Sequence, residues 1–147
     1  MDFEVDISGV KDLQGKLARL KTGLLDWSSA MRAVGQAFKE YYSTVPFASR
    51  GSVFGDTWPD LNPAYKSQKA KKYPGRPILV RTGALQKGFI FTSTRDSVRL
   101  GNQVDYFEKH QMGDGVPQRI TMALNDERAK AASDILRGDL IKKVDNL

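Results

Sequence analysis

Hydrophobic and polar residues alternate at the start of the chain, where Phe3, Val5 and Ile7 interleave with Asp2, Glu4 and Asp6. A period of two predicts a strand with one wet face. After Ser8, a residue suited to capping a helix, the period changes. Val10, Leu13, Leu17, Leu20 and Leu24 recur every three or four residues and define one helical stripe, weakened near its end by Gly23. Asp26 can cap a second stretch in which Trp27, Met31, Val34, Phe38, Tyr41 and Val45 keep the same spacing. The pattern fits two helices or one bent helix. Pro46 is predicted to end it, because proline cannot donate the next ladder hydrogen bond.

From Pro46 to Asn62 the periodicity disappears, and Gly51, Gly55 and Pro59 punctuate a loop that nevertheless carries Phe47, Phe54 and Trp58. Large rings on an irregular segment either fold back over the core or face a partner, and the sequence leaves both open. Asn62-Pro63 is a helix-start signature, and a short basic helix to about Lys72 is expected, broken by Tyr73-Pro74-Gly75-Arg76-Pro77. Ile78-Leu79-Val80 is a brief apolar run, and Thr82-Gly83-Ala84-Leu85 reads as a capped turn. Phe89–Thr94 and Ser97–Asn102, joined by Arg95-Asp96, predict a hairpin. A short helix is expected over Val104–His110, ended by Gly113 and Gly115, and a further strand over Arg119–Met122. Asn125 then caps a closing helix with Asp126 and Glu127 in its first turn and Lys142 and Lys143 near its end, matching the helix dipole. Its apolar positions Ala129, Ala132, Leu136, Leu140 and Val144 form one stripe, interrupted by Gly138. These elements add up to a single α+β domain over residues 1–147, a small antiparallel sheet with helices packed mainly on one face.

Composition narrows the chemistry. The chain has 147 residues, 40% hydrophobic and 27% charged, long enough to bury a real core without staples. With no cysteine there is no disulfide or thiolate metal site, and with one histidine there is no His-pair site. No apolar run approaches the roughly 20 residues of a membrane span, and the acidic opening is unlike a secretory signal. A soluble protein assembled in a reducing cytoplasm, with no membrane partner, is the expectation. The formal net charge of +6 is not spread evenly. Leu61 to Arg95 contains no acid and eight bases, Lys66, Lys69, Lys71, Lys72, Arg76, Arg81, Lys87 and Arg95. Of 23 basic residues that leaves 15 for the rest of the chain, against 17 acidic ones. Such a segment is either a solvated face or an electrostatic contact with nucleic-acid phosphates or an acidic neighbour.

No catalytic set emerges. His110, the only imidazole, lies in Glu108-Lys109-His110-Gln111, which reads as an exposed helix end, and no G-x-S-x-G elbow raises a serine. Gly83 to Gly88 has the glycine spacing of a phosphate loop, but Phe89 stands where the lysine is needed. The carboxylate pairs Asp2/Asp6 and Asp56/Asp60 read as solvated charges. No enzyme activity, cofactor or metal is expected. A DNA-binding accessory role for Leu61–Arg95, with Tyr65 and Tyr73 available for stacking, is the alternative to a protein-contact role.

The order of certain residues from Phe54 to Arg119 resembles the bacteriophage virion morphogenesis family, the tail-completion proteins of contractile-tailed phages and their minor-tail relatives in siphophages. The residues that carry the resemblance are Trp58 and Leu61, Lys66, Ile78-Leu79, Thr82-Gly83-Ala84-Leu85, Val98 and Leu100 before Gly101, Tyr106, His110, Gly113, and Pro117-Gln118-Arg119. Ile120-Thr121-Met122 stands where the family often has an aromatic-rich strand, Gln118 where a small residue is usual, and Met112 where an aromatic is common. The resemblance implies a non-enzymatic virion component that forms a ring, commonly hexameric, at the head-proximal end of the tail. There it would cap the tail tube and dock to the neck. The implied partners are further copies of the chain, the tail tube protein, a neck or head-completion protein and genomic DNA passing the channel. On this reading Phe47, Phe54, Trp58, Lys66, Lys69, Lys71, Lys72 and Arg76 are expected at interfaces, and Thr82-Gly83 fixes a tight turn.

Overall fold

The structure, a computed structural model, describes residues 15, 17–19, 21–22 and 26–146. The predicted strand Phe3–Ile7, the Ser8 cap and most of the first helical stripe lie outside these residues, as does the question of one helix or two.

The spine is α1, Ser28–Ala48. Asp26 serves its start, since its Oδ1 accepts from the Ser28 backbone N–H at 3.0 Å and the Ser28 hydroxyl at 2.6 Å. Val34 and Phe38 face the core as their spacing predicts, but the deep tyrosine is Tyr42, with Tyr41 only half-buried. Pro46 does not stop the helix, which runs on to Ala48. The missing N–H falls within one turn of the helix end, and the continuation buries both Pro46 and Phe47. The chain then reverses through left-handed residues, Arg50 (φ 52°) and Gly51 (φ 81°), into a 3-10 turn over Ser52–Phe54.

Helix α2, Pro63–Lys72, begins as expected, the Asn62 side chain accepting from the Ala64 N–H at 3.0 Å. A single turn, α3 (Ala84–Lys87), follows Gly83, whose φ of 83° suits glycine at the tight turn. The hairpin also forms: β1 (Phe89–Ser93) pairs antiparallel with β2 (Val98–Asn102), Phe89 opposite Asn102 and Phe91 opposite Leu100. The sheet lies across α1, with Phe91 against Gly35. Helix α4 spans Phe107–Met112 rather than Val104–His110. It starts later because the Val104 N–H is taken by Asn102 Oδ1 at 3.0 Å and Val104 O closes a turn onto the Phe107 N–H.

The strand predicted over Arg119–Met122 is extended but unpaired, so the sheet described has two strands. Side chains replace the missing ladder. Ile120 O accepts from Trp58 Nε1 at 2.9 Å, Ala123 O from the Tyr42 hydroxyl at 2.6 Å, and the Thr121 N–H donates to Gln111 Oε1 at 3.0 Å. Burial pushes the Tyr42 hydroxyl up to about 12, so it stays a donor.

Helix α5, Asp126–Asp145, is capped by Asn125, which accepts from the Arg128 N–H at 2.9 Å. Its packed face is rotated from the predicted stripe: Ala131, Ala132 and Ile135 touch the core, whereas Ala129 and Val144 are exposed. Long cations share that face. Arg128 lies 3.6 Å from the Tyr41 ring centroid, and Lys143 lies 4.5 Å from that of Trp27 and 2.9 Å from Asp139. The architecture is α+β, with a core of Val34, Phe38, Tyr42, Phe47, Trp58, Val80, Leu85, Phe89 and Phe107. Among the described residues no helix is long and apolar enough to cross a membrane.

A Cβ added at Gly35 would overlap the Phe91 ring. Gly35→Ala should therefore destabilise the fold by up to about 2 kcal/mol net, because overpacking costs about 1–3 kcal/mol and the helix-propensity gain returns only about 1 kcal/mol. Urea midpoints check this; an unchanged or raised midpoint would show that α1 and β1 are not this close.

Candidate functional site

Two irregular segments, Trp58–Asp60 and Arg119–Ile120, hold each other. The Trp58 N–H donates to Arg50 O at 2.7 Å, and the ring lies so close over Gly51 that a Cβ there would collide with it. Its indole N–H reaches Ile120 O. In return Arg119 donates from Nε to Pro59 O and from Nη2 to Asp60 O, both at 3.0 Å. The Arg119 N–H donates to His110 O at 2.8 Å, tying this clasp to α4. Gln111 extends it, with Oε1 receiving both the N–H and the hydroxyl of Thr121 and Nε2 bonded to Met122 O.

Beside the clasp lies a cleft of about 420 Å³ between α2, the Leu79–Leu85 segment, α4 and the Val116–Arg119 segment. Ten of the residues that carried the family resemblance line it: Leu61, Leu79, Thr82, Gly83, Ala84, Leu85, Tyr106, His110, Pro117 and Arg119. Eight do not. Among these, Trp58 lies in the core beneath, Gly113 ends α4 with a φ of 74°, and Val98, Leu100 and Gly101 sit in β2. Lys69 joins the cleft, its Nζ bonded to Pro77 O.

The cleft is electropositive at its base and apolar on its walls. Lys69 and Arg119 are 5% and 4% exposed, and no Asp or Glu lines the site. Burial, with Arg119 nearby, pushes the Lys69 ammonium below its usual range. The same two causes, in the same order, lower His110, whose Nδ1 is buried without a hydrogen-bond partner. Burial also lowers Arg119, opposed by the Asp60 charge, but a guanidinium stays protonated. The Asp60 carboxylate is already engaged by Lys66 at 2.9 Å and the Leu61 N–H at 2.8 Å, which hold it below the usual carboxylate range. Among the described residues no three His, Asp or Glu side chains gather as a metal site would require. Chemically, the arrangement is suited to receiving an anion.

The expected interface residues separate into two groups. Phe47 and Trp58 are interior, packed edge to face with ring centroids 5.6 Å apart. The loop rings fold back over the core, so these two do not reach a neighbour. Lys69 is likewise inside, and Phe54 is half-buried against the core. Lys66, Lys71, Lys72 and Arg76 are exposed. Tyr73 is half-buried, with Lys72 and Arg81 each 5.7 Å from its ring centroid, while Tyr65 stands exposed in the cleft wall. Sequence reasoning missed Gln111 and Asn102, the latter bonded through Nδ2 to Leu85 O at 2.7 Å. Neither carries a signal in a single sequence, since an amide that bonds backbone looks like any surface amide.

Gln111→Leu should cost about 1–3 kcal/mol, because it strands the Thr121 N–H and Met122 carbonyl; denaturant unfolding measures it, and no loss would show that the segment is held otherwise. The folded pKa of His110 lies below the ordinary 6.5. Its contribution to stability is therefore complete above that value and lost as pH falls toward the folded pKa. Urea midpoints should drop between about pH 7.5 and about pH 5, and His110→Phe should flatten that drop; an identical slope in both proteins would contradict the buried imidazole.

A family model described as the phage virion morphogenesis family matches residues 5–140, and the chain belongs to that family. No curated protein and no solved structure matches it.

Proposed function

We propose that, as a member of the phage virion morphogenesis family, this chain is a structural subunit that completes the tail and joins it to the head. Several copies close into a ring, hexameric in the commonest arrangement, which caps the head-proximal end of the tail tube and docks to the neck. Its place is then the tail–neck junction of the virion, with assembly in the host cytoplasm. The observation that carries this reading is the surface: Tyr65, Ile90, Tyr106, Met112 and Leu124 are all exposed, the last two at 73%. Tyr65 and Tyr106 share the walls of one cleft, and apolar surface gathered in this way marks a protein contact. Uneven charge supports the ring. A head-to-tail interface needs two different, complementary surfaces on one chain, and the basic Leu61–Arg95 segment against a more acidic remainder supplies them. Lys66, Lys71, Lys72 and Arg76 then face a neighbouring copy, the tail tube protein or the neck.

A second reading has the same face touching DNA in the channel. It is favoured by Lys71, Lys72 and Arg76 having no carboxylate partner among the described residues.

Native mass measurement of the purified protein should give a closed ring of several copies, and phage lacking the protein should accumulate filled heads and unjoined tails. A protein that stays monomeric while binding DNA with steep salt dependence, or normal infectious particles without it, would contradict the assignment.

A further inference from the structure

Ring contact explains why this chain has two complementary surfaces but not why one of them contains a cleft with a cationic base. Burying Lys69 and Arg119 with only carbonyl partners is costly, since a charge removed from water is normally balanced by an opposite one. Arg119 spends Nε and Nη2 on the clasp, which leaves Nη1 without a hydrogen bond among the described residues. His110, whose buried Nδ1 has no hydrogen-bond partner among the described residues, lines the same cleft, and the Asp60 carboxylate is engaged outside it. Lys69, His110, Arg119 and the exposed Arg81 thus line one cleft whose walls supply no counter-charge.

The remaining walls define the ligand. Leu61, Tyr65, Leu79, Tyr106, Val116 and Pro117 give the cleft an apolar lining, with both tyrosines exposed. A bare inorganic ion would leave that surface wet. A duplex phosphate backbone needs several cations on the surface, whereas Lys69 and Arg119 are more than nine-tenths buried and Arg81 alone is exposed in the lining. The fitting ligand is a carboxylate carried beside an apolar side chain. We infer that the cleft is a socket for an acidic side chain, flanked by an apolar one, on a second copy of this chain. Charge complementarity selects the second copy: the acids that outnumber bases outside Leu61–Arg95 include the alternating run Asp-Phe-Glu-Val-Asp at positions 2–6. This inference rests on the ring reading and adds the contact that closes it.

His110 is the only histidine, so its imidazole NMR signals report on the cleft without ambiguity. The probe is the acetylated, amidated peptide Asp-Phe-Glu-Val-Asp, titrated into the full-length chain, with Asn-Phe-Gln-Val-Asn and sodium acetate as comparisons. The acidic peptide should shift the His110 signals saturably and raise the imidazole pKa, while the amide peptide and acetate do neither at the same concentration. Tyr106→Ala, at the exposed wall, and Lys69→Met, which keeps an apolar stem in the interior, should each weaken the peptide by about tenfold or more. Native mass is recorded on the same samples, where excess acidic peptide should dissociate the ring. A ring that persists while the peptide leaves His110 unmoved overturns the socket and spares the ring. A chain that is monomeric throughout overturns both. Equal shifts from acetate or the amide peptide would mark an unselective ion site and also overturn the socket.

Discussion

The reciprocal clasp between Trp58 and Arg119 is the constraint on which the rest of this structure depends. Each side chain satisfies backbone carbonyls of the other's segment, the indole on Ile120 and the guanidinium on Pro59 and Asp60. Neither segment belongs to a helix or a ladder, so these side-chain donors take the place of backbone partners for their part-buried carbonyls. Among the described residues the sheet has only two strands, too few to hold these irregular segments by backbone pairing. Side chains therefore do what further strands do in larger sheets, and Gln111 and Tyr42 repeat the same device on Thr121, Met122 and Ala123.

The clasp also determines electrostatics. An arginine fixed by carbonyls keeps its full charge, and that charge adds to burial in lowering Lys69 and His110, which line the same cleft. The same bonds that hold the fold together thus leave a positive charge unanswered inside it. A subunit of a virion assembly has an answer to that imbalance which an isolated monomer lacks, because a neighbour can bring the missing charge. On the proposed ring reading, stability within the subunit and affinity between subunits are linked through one residue.

Much of the frame was legible in the sequence because its signals are local. Asn62-Pro63, Asn125 and the Arg95-Asp96 hairpin act through their own neighbours, and each forms as predicted. The even choice over the aromatic loop could not be settled from spacing, since the acceptor that draws Trp58 inward, Ile120 O, lies 62 residues away. Arg119–Met122 has the composition of a strand, but its hydrogen bonds go to side chains that no periodicity reveals. Pro46 was misjudged because burial of Phe47 outweighs one lost ladder bond. Lys69 looked like its exposed neighbours; only the fold turns that one position of α2 inward. The family resemblance reached further than patterning did, because ten of its scattered residues line a single cleft, with Trp58 and Arg119 forming the clasp beside it.

The account stands on Trp58 and Arg119 acting as one unit, and a double-mutant cycle measures that directly. Unfolding free energies of Trp58→Phe, Arg119→Met and the double variant should show a coupling of about 1 kcal/mol or more, the double costing clearly less than the two singles together. Costs that add to within about 0.3 kcal/mol would mean that the two segments are held independently, and would contradict it.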